Sequence, residues 1–586
     1  MTHLPHLLDE VNKKIEETSF DMKEEEVGVI QQVNQVVVRA KGLPAASYGE
    51  LIHFDNGATG MVMNLSSDGV EIALLDAPES LQAGGLVRRT GKQVEIPVGP
   101  NLLGRVVDPL GRPLDDENNP IEAAEYYPVE KPAPSLMARK AVSVPLQTGI
   151  KAIDALIPIG RGQRELILGD RQTGKTAIAL DAMINQKDTD VICIYCAIGQ
   201  RLTSLTHLIQ DLKKYGNFAN VITVVAEGNV PPGLQYIAPY AATSMGEYFM
   251  EKEQKDVLII YDNLTVHAEA YRQLSLFLRR PPGREAYPGD IFYIHSRLLE
   301  RATRLKEGGS LTALPICETL AQNVAAYIPT NLISITDGQI FLSNSMFQKG
   351  LMPAIDIGIS VSRVGGKAQR PVYKKFAGDL KLAYNQFQEL EAFSKFGTQL
   401  DKETLSQLTR GERVRQILKQ RQYRPLPAPI QEVIILAVTS GLLDPIPLDK
   451  VAEGEHLIFN HFKDYELTED KKEECIKKLK EILSPLYEND EHKEGEEKSV
   501  KPPEETKDKK REETSEDVLN ESIDEEKTSE SENNKKSFPG KVHIKQEEDD
   551  DVKLLSDEDV KNLMGDEEKT EDTEMMQDLK ENDGND

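Results

Sequence analysis

The pattern of apolar and polar residues changes several times along the chain, and each change predicts a different kind of structure. Near the start, apolar residues recur at intervals of three and four, at Leu4, Leu7, Leu8, Val11 and Ile15. This spacing places them on one face of an amphipathic helix, so we predict an N-terminal helix within residues 1–25. The periodicity alone leaves open whether that face packs on the rest of the chain or on a partner.

Residues 26–91 consist of short segments rich in β-branched side chains, separated by turn sequences. The segments are Val27–Ala40, Glu50–Phe54, Thr59–Leu65, Val70–Leu75 and Leu86–Arg88. Between them, Asp55-Asn56-Gly57 and Ser67-Asp68-Gly69 are typical of turns. Short strands at this spacing predict a small antiparallel β-barrel or sandwich.

Residues 92–371 alternate short apolar segments with helix-forming ones. The strand candidates are Leu166–Leu168, Val191–Ile198, Val221–Ala226, Val257–Asp262, Leu311–Ile316 and Leu332–Thr336. This alternation predicts an α/β domain, in which a mostly parallel sheet is covered by helices on both faces. Ligands of such sheets bind at the carboxyl ends of the strands.

Residues 372–486 return to a helical period and predict an α-helical domain. The candidate helices are Leu380–Lys395, Thr404–Arg410, Val414–Gln422, Ile430–Ser440 and the stretch around His456–Phe462.

Residues 487–586 are rich in Lys, Glu, Asp and Ser, and Phe538 is the single aromatic residue after Tyr487. Such a segment buries too little apolar surface to offset chain entropy, so we predict a disordered acidic tail. The alternative to an inert tail is a short recognition helix built on Leu554, Leu555, Val560, Leu563 and Met564.

Charge and composition exclude several classes of protein. The chain has 70 Lys+Arg and 98 Asp+Glu, a net charge of −28, whereas a dedicated nucleic-acid binder needs a basic surface. From residue 501 onwards there are 14 basic and 31 acidic residues, so the tail carries more than half of the net charge. We find no apolar run of the roughly 18–20 residues that a membrane-spanning helix needs and no secretory or transit signal. We therefore expect the chain in the cytosol or on the cytosolic side of a membrane.

Two of the four cysteines, Cys193 and Cys196, form a C-x-x-C pair within an apolar strand candidate. Residues three apart on a strand point to opposite faces, and no second pair completes a zinc site. We interpret these thiols as packing residues in a reducing compartment.

Residues 169–176 carry the pattern G-x-x-x-x-G-K-[ST] between an apolar strand candidate and a helix-forming segment. Strand, loop and helix in this order are typical of a nucleotide phosphate loop. Gly169 and Gly174 allow the backbone to bend around phosphate oxygens, and the free N–H groups at the helix start point at the anion. We expect Lys175 to reach the outer phosphates and the Thr176 hydroxyl to ligand magnesium.

Three more residues have the chemistry that a nucleotide site uses. Asp262 ends an apolar strand candidate and can hold magnesium, usually through water. Gln200 follows another strand candidate and can face the γ-phosphate, but an amide cannot act as a general base. Arg363 lies in the Gly-rich segment 360–366 and is a candidate arginine finger; the alternative is a structural surface arginine.

Longer stretches add a closer resemblance. Besides 169–176, they are 104–111 (GRVVDPLG), 234–240 (LQYIAPY), 244–249 (SMGEYF), 278–290 (LRRPPGREAYPGD), 310–315, 327–341 (YIPTNLISITDGQIF) and 360–366. In their residues and in their order along the chain, these stretches resemble the alpha subunits of the F-type, rotary proton-transporting ATP synthases. The resemblance covers about residues 1–484.

The resemblance implies a hexameric ring of three alpha and three beta subunits around a rotor shaft. Each chain of that ring has a β-barrel, a nucleotide domain and a helical domain. The implied partners are the alternating beta subunits, the gamma rotor shaft, and delta-type and peripheral-stalk subunits docked on the N-terminal helix. The membrane sector would be reached only indirectly. The chain would then be a peripheral protein on the cytoplasmic side of a bacterial cell membrane, or on the equivalent organelle face, with no nucleic-acid partner.

The resemblance also implies that this chain holds Mg²⁺ and ATP tightly, with slow or no exchange, at a site that does not turn over. Gln200 stands where the catalytic beta subunit has an essential Glu, and Arg363 matches the arginine that alpha extends into the catalytic site of beta. Thr176 and Asp262 would support the metal. The residues implied to bind nucleotide are Gly169, Asp170, Arg171, Gln172, Thr173, Gly174, Lys175, Thr176, Gln200, Gln420 and Gln422.

The chain departs from the family pattern at Asn263, where a second acid is usual, and at Met352, where Arg is usual. The acidic tail is also foreign to the family. Two other interpretations stay open. A self-sufficient ring ATPase, such as an RNA translocase or a secretion motor, would need a carboxylate in place of Gln200. A non-enzymatic scaffold would have lost nucleotide binding.

Overall fold

A closed antiparallel barrel begins the folded part of the chain. The structure, a computed structural model, describes residues 26–79, 81–116, 119–394, 402–463 and 465–487. The strands of the barrel are β1 (Val27–Val33), β2 (Val37–Lys41), β3 (Glu50–Phe54), β4 (Thr59–Ser66), β5 (Gly69–Leu74) and β6 (Leu86–Gln93). They close in the order β1-β2-β5-β4-β3-β6 around a core that includes Ile30, Val38, Ile52, Val62, Ile72 and Val87. The predicted barrel is therefore confirmed, and a sandwich is excluded.

Two short antiparallel ribbons connect the barrel to the central sheet. The strand β7 (Glu95–Val98) precedes β8 (Val106–Val107) and pairs with β9 (Glu125–Pro128), while β10 (Pro145–Leu146) pairs with β11 (Ile159–Gly160).

The central sheet has eight strands. Besides β8 they are β12 (Leu166–Gly169), β13 (Ile192–Gln200), β14 (Val221–Glu227), β15 (Asp256–Asp262), β16 (Ser310–Glu318), β17 (Gly338–Leu342) and β18 (Val361–Ser362). Their order is β18-β17-β12-β16-β15-β13-β14-β8. Every pair is parallel except the edge pair β17 and β18. The predicted mostly parallel sheet is confirmed.

Helices cover both faces of this sheet, as the alternation of elements predicts. They are α1 (Lys151–Leu156), α2 (Lys175–Ile184), α3 (Leu202–Tyr215), α4 (Pro232–Glu251), α5 (Leu264–Phe277), α6 (Ile291–Leu299), α7 (Tyr327–Ile335) and α8 (Asn344–Gln348). Successive residues of β13 enter different cores: Cys193 and Tyr195 pack in one apolar cluster, Ile194 and Cys196 in the other. Both cysteines are free and buried, and burial raises the pKa of the Cys193 thiol to about 12. They are packing residues on opposite faces of the sheet.

One predicted strand of this domain is wrong. Residues Leu332–Thr336 lie in helix α7 and at its end, and the strand that follows is Gly338–Leu342. The β-branched residues of this segment suggested a strand, but its apolar residues pack on one face of the helix, with Ile328, Leu332 and Ile335 buried.

Helices make up the last described part of the chain, which confirms the predicted helical region. They are α9 (Pro371–Ser394), α10 (Lys402–Leu418), α11 (Ala428–Thr439), α12 (Val451–His461) and α13 (Lys472–Leu483). The candidate Thr404–Arg410 and the first part of the candidate Val414–Gln422 belong to the single helix α10, which ends at Leu418; residues 419–422 lie beyond it. The helix α13 was not predicted. None of the helices described here is long and apolar enough to cross a lipid bilayer.

Short 3₁₀ turns link these elements at Pro100–Leu102, Leu136–Ala138, Phe218–Asn220, Arg284–Ala286, Gly365–Ala368, Glu469–Lys471 and Ser484–Leu486. The predicted N-terminal helix and the predicted disordered tail lie outside the described residues.

Candidate functional site

The phosphate-loop motif forms a tight turn between a buried strand and a helix. All four residues of β12 are buried, and α2 starts at Lys175, directly after the loop. Gly174 has a φ of 98° and caps the helix without a side-chain hydrogen bond. A Cβ at this position would meet no atom within 4 Å, so backbone conformation, not space, favours glycine there. The free N–H groups at the start of α2 are the groups with which helix termini bind anions.

Lys175 is buried against the loop that precedes it. Its side chain is 6% exposed, and its Nζ donates to the carbonyl oxygens of Gly169 at 2.9 Å and Asp170 at 2.6 Å. Burial lowers the pKa of Lys175, and the charges of Glu318 and Asp262 oppose that change. An anion at the loop would add the counter-charge that this buried ammonium group needs.

Thr176 and Asp262 meet at the carboxyl edge of the sheet. The Thr176 hydroxyl donates to Asp262 Oδ2 at 2.8 Å, and the Tyr195 hydroxyl donates to the same oxygen at 2.7 Å. Burial raises the pKa of Asp262, whereas the hydrogen bonds from Tyr195 and Thr176, the nearby Gln200 amide and the charge of Lys175 lower it. The structure thus brings together the two residues predicted to support a metal.

A hydroxyl and a carboxylate are the hard oxygen ligands that suit Mg²⁺. Among the described residues, no group of three or more His, Cys, Asp or Glu side chains is arranged to hold a metal. Mg²⁺ commonly binds through one or two carboxylates with phosphate and water oxygens completing its octahedron. The donor set at Thr176 and Asp262 therefore fits magnesium that arrives with a nucleotide.

Gln200, at the end of β13, also lies beside Asp262. Its Nε2 donates to the Tyr195 hydroxyl and to the Asp262 carbonyl oxygen, each at 3.1 Å. The side chain thus places an amide, which cannot act as a general base, next to Asp262.

The side chains of residues 170–173 mainly shape the loop. Asp170 Oδ1 accepts hydrogen bonds from Thr319 Oγ1 at 2.7 Å and from the Gln322 N–H at 2.9 Å. Thr173 donates to the Asp170 carbonyl oxygen at 2.8 Å, and Gln172 has a φ of 63°. Asp170 therefore anchors the loop to the segment that follows β16.

Arg171 pairs with Glu318 in an exposed ion pair. Its Nε lies 2.9 Å from Glu318 Oε2, and its side chain is 74% exposed. Glu318 ends β16, the neighbour of β12 in the sheet. Sequence reasoning missed Glu318, although a polar residue just after the strand candidate Leu311–Ile316 was a signal for a site residue at the sheet edge.

A cavity of about 1510 Å³ extends from the phosphate loop towards the helical region. Gln420 and Gln422, the predicted adenine contacts, both line it, as does Met352. The Gln420 side chain forms its hydrogen bonds with backbone groups. Its amide donates to Gly149 O and Arg424 O and accepts from the Lys151 N–H. Gln422 is exposed at the cavity wall. The two glutamines thus differ in how freely each can turn towards a ligand.

Asn263, the departure from the family pattern beside Asp262, has a structural role. Its Oδ1 accepts a hydrogen bond from the Val266 N–H at 2.9 Å and so caps α5. Asn and Asp are about equally good at this position, so the loss of the second acid leaves the helix start intact.

Arg363 lies at the other edge of the sheet from the phosphate loop. It follows β18, whose Ser362 pairs with Gly338, the first residue of β17. β17 runs parallel to β12, and the phosphate loop follows the last residue of β12. Arg363 therefore lies at the end of the sheet where these parallel strands begin, and the loop at the end where they finish. The length of β12, four residues or about 10 Å, separates the two ends. The Arg363 guanidinium donates to Thr336 O at 3.1 Å and to Ile333 O at 3.2 Å. None of the described carboxylates forms an ion pair with it, and its side chain is exposed.

Asp181 gives the cavity wall a pH-sensitive group. It is buried and accepts a hydrogen bond from the Tyr423 N–H at 2.9 Å. Burial raises the pKa of Asp181 to about 6, and that hydrogen bond opposes the rise. Because the folded pKa lies above the usual value of about 3.9, the folded chain binds the proton more tightly than the unfolded chain does. The contribution of Asp181 to the free energy of unfolding therefore falls as the pH rises from about 4 to about 6.

We expect Asp181→Asn to remove this dependence. The difference in free energy of unfolding between the variant and the wild type should rise in favour of the variant by on the order of 2 kcal/mol between about pH 4 and 6. Above that range the difference should level off. Chemical denaturation of both chains across this range measures the difference. The exposed Asp188→Asn is the control. A difference that stays constant with pH would contradict the prediction.

Comparisons with known proteins agree with this geometry. The nucleotide-binding domain of the ATP synthase alpha/beta family matches residues 149–362, and the C-terminal domain of the ATP synthase alpha/beta chain matches residues 369–486. The ATP synthase subunit alpha 2 of Syntrophus aciditrophicus (strain SB) is 61% identical over 440 residues, which cover 75% of this chain and 84% of that protein. The ATP synthase subunit alpha 1 of Shewanella frigidimarina (strain NCIMB 400) is 51% identical over 491 residues, which cover 81% and 95%.

A third relative, the ATP synthase subunit alpha 1 of Chlorobium luteolum (strain DSM 273 / BCRC 81028 / 2530), is 55% identical over 448 residues, or 76% of this chain and 87% of that protein. The two family matches and the three relatives all belong to ATP synthases, and together they span both the nucleotide-binding and the helical regions. The chain therefore belongs to the ATP synthase alpha/beta family, among its F-type alpha subunits.

Proposed function

We propose that this chain is a regulatory subunit that holds Mg-ATP without hydrolysing it and lends an arginine to a neighbouring catalytic site. The enzyme would make ATP from ADP and phosphate with a transmembrane proton gradient. One observation carries the proposal: the side chain beside Thr176 and Asp262 is the amide of Gln200, not a carboxylate. A site with a metal-binding pair and a phosphate loop but no base can bind a nucleotide without turning it over.

The proposed roles follow from the contacts at the sheet edge. Lys175 and the N–H groups of residues 169–176 would bind the phosphates, with Arg171 and Gln172 at the outer side of the loop. Thr176 and Asp262 would hold Mg²⁺, which neutralises phosphate charge when it is bound. Gln422 and Gln420 would lie near the adenine. The domain division at 26–91, 92–371, 372–486 and 487–586 is part of the same proposal.

Arg363 would act on a different site from the one that this chain builds. Its side chain is exposed and lies at the opposite edge of the sheet from the phosphate loop, so a nucleotide on its own loop is out of its direct reach. An arginine that enters a neighbour's site can stabilise the charge that develops on the γ-phosphate. We propose that the recipient is a beta subunit in an alternating three-plus-three ring.

The other proposed partners are the gamma rotor shaft and, through residues 1–25, the delta-type and peripheral-stalk subunits. This arrangement would make the chain a peripheral membrane protein on the cytoplasmic face, in contact with the membrane sector only through other subunits.

A self-sufficient ring ATPase is the second candidate, and Glu318 is the one observation in its favour. This carboxylate ends the strand next to the phosphate loop, but it is paired with Arg171 at 2.9 Å. A general base must be within hydrogen-bond reach of the attacking water and free to accept its proton. The pairing therefore favours a holding role over hydrolysis.

Purification of the native complex tests the proposal. We expect a second chain with a carboxylate at the position of Gln200 to co-purify in equal amount, and ATP, not ADP, to be recovered from this chain. The matched control is the purified chain alone, which should bind Mg-ATP and release no phosphate. Steady ATP hydrolysis by the isolated chain would overturn the proposed function in favour of the ring ATPase.

A further inference from the structure

A buried tyrosine that sequence reasoning missed lies at the centre of the proposed metal site. Tyr195 is 0% exposed and lies on β13. Its hydroxyl is 2.7 Å from Asp262 Oδ2 and 3.1 Å from Gln200 Nε2. One phenol thus contacts both the carboxylate expected to support magnesium and the amide that stands in the place of a base.

The donor and acceptor roles in this group are fixed by chemistry. The Nε2 of a glutamine can only donate, so the Tyr195 oxygen accepts from Gln200. The phenol has a single proton. The Tyr195 hydroxyl donates this proton in its hydrogen bond to Asp262 Oδ2, at 2.7 Å. Hydrogen bonds therefore run in one direction, from Gln200 through Tyr195 to Asp262.

Thr176 completes the arrangement from the other side. Its hydroxyl donates to the same Oδ2 at 2.8 Å, so two hydroxyl protons converge on one carboxylate oxygen. This leaves the Thr176 lone pairs for a metal and Oδ1 of Asp262 for the water shell of that metal. A partner that orients a metal-supporting carboxylate in this way commonly matters 10- to 100-fold for metal affinity.

The same bonds favour an amide over a carboxylate at residue 200. The Gln200 Nε2 donates to two oxygens, the Tyr195 hydroxyl and the Asp262 carbonyl, each at 3.1 Å. A carboxylate has no proton to give to either oxygen. The only proton of Tyr195 is already committed to Asp262, so a Glu at this position would face two unpaired acceptors.

We propose that Tyr195 is a positioning residue of the Mg-ATP site, which orients Asp262 for the metal and selects an amide at residue 200. This inference rests on the proposed function, since it concerns the same site. The tyrosine makes the holding site a connected unit: the group that orients the metal ligand is also the group that disfavours a base.

The neighbouring strand offers a matched control. Tyr261 is also 0% exposed, and its hydroxyl bonds to the Thr243 hydroxyl at 2.8 Å on the other face of the sheet. Tyr195→Phe and Tyr261→Phe each remove one buried phenol oxygen, but only the first touches the site.

The experiment is calorimetric titration of the full-length chain with ATP, in excess Mg²⁺ and in EDTA. For Tyr195→Phe we expect affinity for Mg-ATP to fall by about 10- to 100-fold, while affinity for ATP in EDTA stays at the wild-type value. Tyr261→Phe should change neither. Equal losses with and without Mg²⁺, or equal effects of the two variants, would overturn the inference, because they would show a general packing role.

A second set of variants tests the selection of the amide, and its first member, Gln200→Glu, keeps Tyr195 and so does not depend on the folding of Tyr195→Phe. Gln200→Glu is expected to weaken Mg-ATP binding in the wild-type chain, and to weaken it less in the Tyr195→Phe background, where the competing acceptor is gone. Strictly additive effects would overturn this half of the inference. If the wild-type chain itself binds no Mg-ATP, the proposed function fails; if it does bind and the variants behave alike, only the role of Tyr195 fails.

Discussion

Replacement of Arg363 by alanine is expected to lower ATP turnover by the assembled enzyme about 10³-fold or more, while this chain keeps its own nucleotide. Arginine fingers contribute on the order of 10³–10⁵ in rate, because a fixed guanidinium stabilises charge that appears only in the transition state. Arg363 is suited to such a role: it is exposed, carries no ion pair with a described carboxylate, and is held by the Ile333 and Thr336 carbonyls. Steady-state hydrolysis by the reconstituted complex measures the effect.

Two further variants separate this effect from a loss of folding or assembly. Arg304→Ala removes another arginine without an ion pair to a described carboxylate, one that donates to Ser143 Oγ at 3.1 Å, and should leave turnover near the wild-type rate. Arg363→Lys keeps the charge but loses the planar fork, so it should recover only part of the rate. Turnover at the wild-type rate in Arg363→Ala, with the complex intact, would show that the chain does not complete a neighbour's site through this residue.

Replacement of Lys175 by methionine is expected to abolish tight nucleotide binding by this chain. A unit charge about 4 Å from a phosphate contributes roughly 4 kcal/mol near a protein surface, which corresponds to nearly 10³-fold in affinity. Calorimetric titration of the full-length chain with Mg-ATP measures the loss.

The melting temperature of the chain without nucleotide provides a second measurement on the same variant. Burial lowers the pKa of Lys175, which means that its protein surroundings alone destabilise the charged form. Methionine has a similar length and removes this charge, but it also loses the hydrogen bonds from Nζ to the Gly169 and Asp170 carbonyl oxygens. Because the two effects oppose each other, Lys175→Met should melt close to the wild type in the absence of nucleotide. The control is Lys252→Met, an exposed lysine paired with Glu125, which should bind Mg-ATP normally. Undiminished binding by Lys175→Met would remove the phosphate loop from the proposed site.

Local sequence pattern was enough to predict the elements that position the site. The apolar run before Gly169, the helix-forming run after Thr176, and the strand that ends at Asp262 each report on a few adjacent residues. The same local reasoning failed at Leu332–Thr336, because β-branched residues in a short apolar run fit a strand and a buried helix equally well. It also divided α10 in two, since Gly411, buried against the Phe387 side chain, resembles a break when its partner helix is not known.

What the sequence could not provide were contacts between distant residues. Tyr195 belongs to an apolar strand, and nothing in its neighbours shows that its hydroxyl meets Asp262, which lies two strands from the loop in the sheet. Gln420 was predicted near the adenine, yet its amide joins three backbone groups from two separate segments. Such pairings depend on tertiary packing, which only the fold determines.

The separation of Arg363 from the phosphate loop also limits how such chains can associate. A subunit with an arginine on one side and a phosphate loop on another has two unlike surfaces. Contacts that bring the arginine surface of one subunit against the phosphate-loop surface of the next therefore run head to tail. Head-to-tail contacts close into rings when the rotation permits, and the resulting ring has a direction. In the proposed alternating ring, each beta site would then receive its arginine from the same rotational sense, which gives an order to the sites around the ring.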